Sequence, residues 1–146
     1  MDDAMLFSPY IIAIIASWIV GQGMKYLIIA FKKRSLRHLR QLYLSGNMPS
    51  AHSMTAIALV TVIGLCDGMG SGIFALAALF AAIVMYDAMM VRRSSGEQGV
   101  AIQRLIKEQK SNVSLPRAAK GHTPVEVAVG ALLGVVVGLV VFLATQ

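Results

Sequence analysis

PVEVAVGALLGVVVGLVVFLA, residues 124–144, settles what kind of fold this chain has. It carries one charge, Glu126, near its start and none after it. A run of about 20 apolar residues is what a helix needs to cross the hydrocarbon core of a bilayer. Three further apolar runs precede it, at about 6–31, 50–66 and 73–91. The second is short for a full span, so it either takes in the Pro49 region or enters the membrane only part-way. Asp67-Gly68-Met69-Gly70-Ser71-Gly72 forms a tight turn between the second and third runs. No alternating pattern recurs, and open sheets do not span lipid. The expected fold is therefore all-α. It is a small polytopic membrane bundle, a single integral membrane domain of about four helices. Basic loops are expected at 32–49 and 92–121. Residues 97–110 pair apolar Val100, Ile102, Leu105 and Ile106 with basic Arg104, Lys107 and Lys110. That amphipathic helix lies in the membrane interface or is an ordinary solvated one.

Composition agrees. Of 146 residues, 57% are hydrophobic and only 14% charged, against about a quarter charged in soluble domains. The pI near 9.8 would otherwise suggest nucleic acid. Here the positive charge is confined to segments between apolar runs, as in loops facing anionic lipid, so no nucleic-acid partner is expected. The single cysteine, Cys66, excludes an internal disulfide and a cysteine-built metal cluster. The nine methionines fill apolar positions. The acidic start Met1-Asp2-Asp3 is unlike a cleavable signal, so the first run is read as a retained helix.

Charge placement gives an orientation. All 13 basic residues lie near the end of the first run, at Lys25, or in the two basic segments. The opposite side receives Asp2, Asp3 and Asp67. The positive-inside rule then puts both basic loops in the cytoplasm and both termini outside, in a bacterial plasma membrane. In this topology His52 opens the second helix, His122 opens the fourth, Arg92 and Arg93 close the third, and Lys25 is near the close of the first. All would face one leaflet. Helix starts attract anions through free N–H groups and the positive dipole end, so this convergence suits a phosphate.

Each motif has a plainer reading beside the functional one. Thr123-Pro124-Val125-Glu126 is a helix-start signature, and a capping box alone accounts for Glu126. It does not account for His122, four residues before Glu126, whose ring the carboxylate could orient as a nucleophile. Pro49-Ser50-Ala51-His52-Ser53 is either an interfacial helix start or a second part of that pocket. Asp87 interrupts an apolar run, where ionisable groups are costly and usually paired; Arg92 or Lys25 is the expected partner. Arg92-Arg93 is a helix-end anchor or a phosphate clamp. Gly130, Gly134 and Gly138 form a small-residue face for close helix packing, either within the chain or in a homodimer.

These residues resemble a known family. Pro49-Ser50-Ala51-His52-Ser53 resembles the Pro-Ser-Gly-His motif of the type-2 phosphatidic acid phosphatase and vanadium haloperoxidase superfamily, and His122-x-x-x-Glu126 resembles its later His-x-x-x-Asp motif. With 86–93, Gly96 and Gln98 they look like the divergent branch of short bacterial and plastid membrane proteins. The resemblance covers about 25–138. It implies hydrolysis of a lipid or isoprenoid phosphate monoester without cofactor or metal. His122 would attack phosphorus, Glu126 would orient it, and His52 would protonate the leaving oxygen. Arg92, Arg93, Lys25, Ser50 and Ser53 would hold the phosphoryl oxygens, with Asp87 in support. The sequence departs from the pattern in several places. Gln41 follows Arg40 where the family has proline. Arg117 stands one residue too close to His122. Glu126 replaces an aspartate, and four helices replace six. These departures motivate an alternative, a lipid-phosphate binding or transport protein that keeps the cradle without catalysis. Its partners in either case are membrane lipids.

Overall fold

The structure, a computed structural model, describes residues 8–33, 48–116, 118 and 121–146. Its helices are α1 (Pro9–Lys33), α2 (Ala51–Cys66), α3 (Gly72–Tyr86), α4 (Arg92–Glu108) and α5 (Pro124–Ala144), with a π-helical turn at Asp87–Val91 joining α3 to α4. The described residues form no strand, as expected for this fold class. Each of α2, α3 and α5 starts at a hydroxyl that caps a free backbone N–H. Ser50 accepts from Ser53 N–H, Ser71 from Phe74 N–H and Thr123 from Glu126 N–H.

Among the described residues, three helical stretches are long and apolar enough to cross a membrane: Pro9–Phe31, Gly72–Glu108 and Pro124–Ala144. At 16 residues α2 reaches about 24 Å, short of a hydrocarbon core of roughly 30 Å. It is held at the centre of the bundle instead. Its buried residues are mostly small, Ala51, Ser53, Ala56 and Ala58 among them, while Trp18, Phe31, Leu76, Phe80, Leu132 and Leu143 point outward. Small residues inside and bulky apolar ones outside are what lipid-embedded helices favour, since lipid receives large side chains as well as a core does.

The glycine face of α5 packs on α2. A Cβ added at Gly130 would sit 2.5 Å from Ser50 O, and at Gly134 2.5 Å from Met54 O; at Gly138 it would meet Thr61 Cβ at 2.7 Å. Each four-residue step on α5 meets a corresponding step on α2, so the two helices run parallel and both start at the same end. The partner of Gly130, Gly134 and Gly138 is therefore in the same chain. Gly134→Val should force the helices apart and cost about 1–3 kcal/mol of stability. Thermal denaturation in detergent checks this against Gly23→Ala, a position with nothing within 4 Å.

Helix α1 runs antiparallel to α2. The Tyr10 hydroxyl donates to Asp67 Oδ2 at 2.6 Å at one end, and Gly21 lies against Ala51 and Met54 toward the other. The third helix corrects a sequence expectation. It does not end at Val91; helical backbone continues through the π turn from Gly72 to Glu108, so 92–96 is helix and not loop, and most of the expected amphipathic helix at 97–110 is its continuation. No proline removes an N–H there, and the π turn keeps the backbone paired by i→i+5 bonds. Arg92 and Arg93 therefore lie mid-helix.

Candidate functional site

The site begins at the start of α5. Thr123 and Glu126 form a reciprocal capping box, with Thr123 N–H donating to Glu126 Oε2 at 3.1 Å. The same oxygen lies 3.0 Å from His122 Nδ1. Capping and orientation are thus done by one carboxylate. With a carboxylate partner, Nδ1 is assigned the proton, and Nε2 is left with its lone pair. His122 is buried, at 4% exposure, and lines a cavity of about 580 Å³.

The π turn holds this loop in place. Arg92 N–H passes over Ala88 and donates to Asp87 O. Ala88 O, without its usual α-helical donor, accepts His122 N–H at 2.9 Å. The turn also brings Arg92 Nε to Asp87 Oδ2 at 2.6 Å, a pair five residues apart that an α-helix would splay. Gly121 completes the fit, because a Cβ there would lie 2.6 Å from Arg93 Cα and N. That glycine requirement comes from the approach of two backbones and not from any turn.

The start of α2 is tied to the start of α5 by Ser50 N–H donating to Glu126 O at 3.2 Å. His52, in the first turn of α2, faces the cavity. Lys25 comes from α1 and Arg92 from beyond the π turn, and both line the same cavity. Lys25 is 5% exposed and makes no ion pair among the described residues. A buried ammonium in an apolar bundle without a carboxylate partner favours an anion in the adjoining space.

Four candidates therefore converge on one cavity: Lys25, His52, Arg92 and His122. Glu126 stands behind His122, and Asp87 behind Arg92. Three candidates do not reach the cavity wall. Ser50 and Ser53 are fully buried, with Ser53 Oγ donating to Ser50 Oγ at 2.9 Å, so their hydroxyls serve the helix cap. Arg93 turns outward to Glu97 at 3.1 Å and borders a second, smaller cavity of about 470 Å³ with Gly121. Arg40, Gln41 and Arg117 lie outside the described residues, as do Asp2 and Asp3. The cavity also contains Gln22 and Thr55, which the sequence reading did not single out. Their signal was spacing, since each lies three residues from a cationic or imidazole candidate on its own helix.

Burial pushes the His122 imidazole below its ordinary pKa of 6.5. The hydrogen bond and charge of Glu126 work the other way, and the nearby Lys25 and Arg92 charges add to the lowering. The ring is thus held toward its neutral form, with its protonation midpoint below the ordinary value. Glu126→Gln removes the one raising influence, so the His122 titration should move to still lower pH. Ring ¹⁵N shifts of histidine-labelled protein measure it; a midpoint that rises in Glu126→Gln contradicts the assigned contact.

Among the described residues, no group of three or more His, Cys, Asp and Glu side chains is placed to hold a metal ion. A family profile described as "Divergent PAP2 family" matches residues 7–137, a span that contains every residue of the cavity. An uncharacterized membrane protein of Bacillus subtilis (strain 168), YuiD, is 39% identical over 111 residues, covering 66% of this chain and 70% of the relative. No solved structure matches.

Proposed function

This chain belongs to the divergent PAP2 family of phosphatase-related membrane proteins, and on that basis we propose that it hydrolyses a lipid or isoprenoid phosphate monoester at the cytoplasmic leaflet. The observation that carries this reading is the shared cavity. Two imidazoles and two cations from four separate segments face one space whose remaining wall is largely apolar. The headgroup sits among Lys25, Arg92, His52 and His122. The tail runs along Trp18, Leu59 and Phe80.

In the first step Nε2 of His122 attacks phosphorus, and a P–N bond forms as the ester P–O bond breaks. His52, whose imidazolium form the arriving phosphate's negative charge favours against the cavity's cations, gives its proton to the departing alkoxide. Glu126 holds Nδ1–H and balances the positive charge that develops on the His122 ring. Lys25 and Arg92 lie where charge builds on the phosphoryl oxygens, and fixed charges of this kind commonly supply the largest share of catalysis. In the second step the now neutral His52 takes a proton from water, which attacks phosphorus. The P–N bond breaks, releasing inorganic phosphate and restoring both histidines.

The orientation follows from the basic segments: the cavity mouth faces the cytoplasm, with both termini on the other side. The amphipathic α4 continues out of the membrane at that face, since Gly72–Glu108 is far longer than a span requires. The test is phosphate release by purified protein in nanodiscs, with excess chelator, across long-chain lipid phosphates. Release that persists in chelator supports the reading, and absence of release from every lipid phosphate removes it.

A second reading, binding or transport without turnover, draws on one observation. Arg92 is already paired with Asp87 and Arg93 turns to Glu97, so fewer free cations face the phosphate than a clamp of two arginines would give. It predicts lipid-phosphate binding that survives His122→Gln and weakens in Arg92→Ala.

A further inference from the structure

Resting on the reading of this cavity as a lipid-phosphate site, we propose that α1 and α3 frame a lateral slot, one leaflet deep and rimmed by Trp18 and Phe80. The ligand's apolar chain enters sideways from the surrounding lipid through this slot, and the ligand is not carried across the bilayer.

The slot follows from which helices meet. Helices α1 and α3 both pack along α2 but scarcely touch each other. Helix α2 is therefore the back wall of a cleft whose front is open. Each helix lines the cavity with one stripe: Ile14, Trp18 and Lys25 on α1, His52 and Leu59 on α2, Phe80 and Val84 on α3. Steps of four and seven residues keep each stripe on one helix face.

Trp18 and Phe80 line the cavity and are still 54% and 57% exposed, so the cavity opens to the outside between them. Both lie in stretches long and apolar enough to cross a membrane, so what lies outside is hydrocarbon. Tryptophan is enriched at the boundary between membrane and water, where its N–H stays wet. Trp18 is the only tryptophan of the chain, and it lies seven residues from Lys25, about 10 Å below the charged end. A large flat side chain at that depth, on the rim of an opening, suits contact with a lipid chain.

The slot has a floor. From Lys25 to Ile14 the α1 stripe covers eleven residues, about 16 Å, and half of the hydrocarbon core is about 15 Å. Past Ile14 the bundle closes. Ala13, Val62 and Val141 are buried together, with Tyr10 and Val137 packed on them. The Tyr10 hydroxyl then ties α1 to Asp67 at the far end. Ser17 and Thr61 bond within their own helices, to Ala13 O and Ile57 O. Among the described residues, no polar path continues from the charged end to the other side. A phosphate headgroup that reaches Lys25, His52 and Arg92 therefore stops there.

The single tryptophan reads occupancy of the slot directly. The full chain is placed in nanodiscs of neutral lipid, and dibrominated octadecyl phosphate is titrated in, with dibrominated octadecanol as control. The phosphate should quench Trp18 emission saturably. The alcohol has no headgroup to anchor it and should quench only weakly, in proportion to its amount. Trp18→Phe with Leu132→Trp moves the reporter to the outer face of α5, where Leu132 is exposed, and the saturable part should be lost. In a Cys66→Ser background, Ile14→Cys and Val84→Cys joined across the opening by a bis-maleimide should lose saturable quenching relative to the same protein unjoined. In liposomes, translocation of a fluorescent lipid phosphate should not exceed that without protein. No saturable quenching of Trp18, saturable quenching by the alcohol, or saturable quenching at the moved reporter overturns the slot. Unchanged binding in the joined protein overturns the lateral route, and protein-dependent translocation overturns the floor. Saturable quenching without phosphate release removes the hydrolase reading and leaves the slot standing; release without saturable quenching does the reverse.

Discussion

Replacing His122 with asparagine is expected to reduce phosphate release from every lipid phosphate to background. His122 is the one ring in the cavity whose orientation is fixed from both ends. Its Nδ1 is held by Glu126 at 3.0 Å, and its own backbone N–H is anchored to Ala88 O at 2.9 Å. Asparagine keeps the backbone anchor and the polarity of the position, so the α5 start should stay in place while the nucleophile is lost. Helical circular dichroism and thermal denaturation check that the bundle persists. Lipid-phosphate binding should also persist, because Lys25 and Arg92 remain. The loss should not be relieved by a better leaving group, since without the nucleophile the P–N bond cannot form. A His122→Asn protein that turns over at the wild-type rate would exclude His122 as nucleophile.

His52→Ala is expected to cost about 10²–10⁴-fold in kcat with an alkyl leaving group. The effect should depend on the substrate in a way that the His122 effect does not. An alkoxide leaves poorly without a proton, whereas an aryl phosphate departs as a stabilised phenolate. With a long-chain aryl phosphate the first step of the His52→Ala protein should recover, and a burst of phenol should precede slow turnover. The burst arises because dephosphorylation still lacks its base. Equal losses for alkyl and aryl esters would place His52 in binding and leave the proton donor unassigned. Arg92 provides a contrast. Its removal is expected to weaken binding and catalysis alike for both kinds of ester, because the proposed mechanism sets it against the phosphoryl oxygens and not the leaving group.

Local chemistry was legible in the sequence wherever one helix carried both partners. Four residues separate His122 from Glu126, and the structure places the ring on the carboxylate. The Thr-Pro-x-Glu start of α5 forms its capping box, and Asp87 takes Arg92, one of the two partners its position allowed. The apolar runs gave the all-helical class because bilayer thickness leaves little choice of element.

What remained hidden depended on contacts between segments. The π turn has no residue signature, so 73–91 looked like a complete helix ending in arginines; in fact the helix continues to Glu108. The glycines of α5 could have met any helix, and only the parallel seating of α2 decides which. Ser50 and Ser53 looked like phosphate donors because hydroxyls at a helix start often are. Here the two side chains satisfy each other beneath the helix start, and the cavity opens on the other side, at His52. Gln22 and Thr55 passed unnoticed because a single amide or hydroxyl in an apolar run carries no meaning until its neighbours are known.

If one phosphate is bound among side chains from four segments and attacked by His122, a phosphoryl group must reside on that ring during turnover. It can be caught by rapid acid-free quenching of the protein during turnover of ³²P-labelled lipid phosphate, followed by peptide mapping under basic conditions. Label is expected on the peptide containing His122, present in wild type, raised in His52→Ala with an aryl ester, and absent in His122→Asn. Label on a different residue, or hydrolysis that continues with no label on His122, would contradict this mechanism.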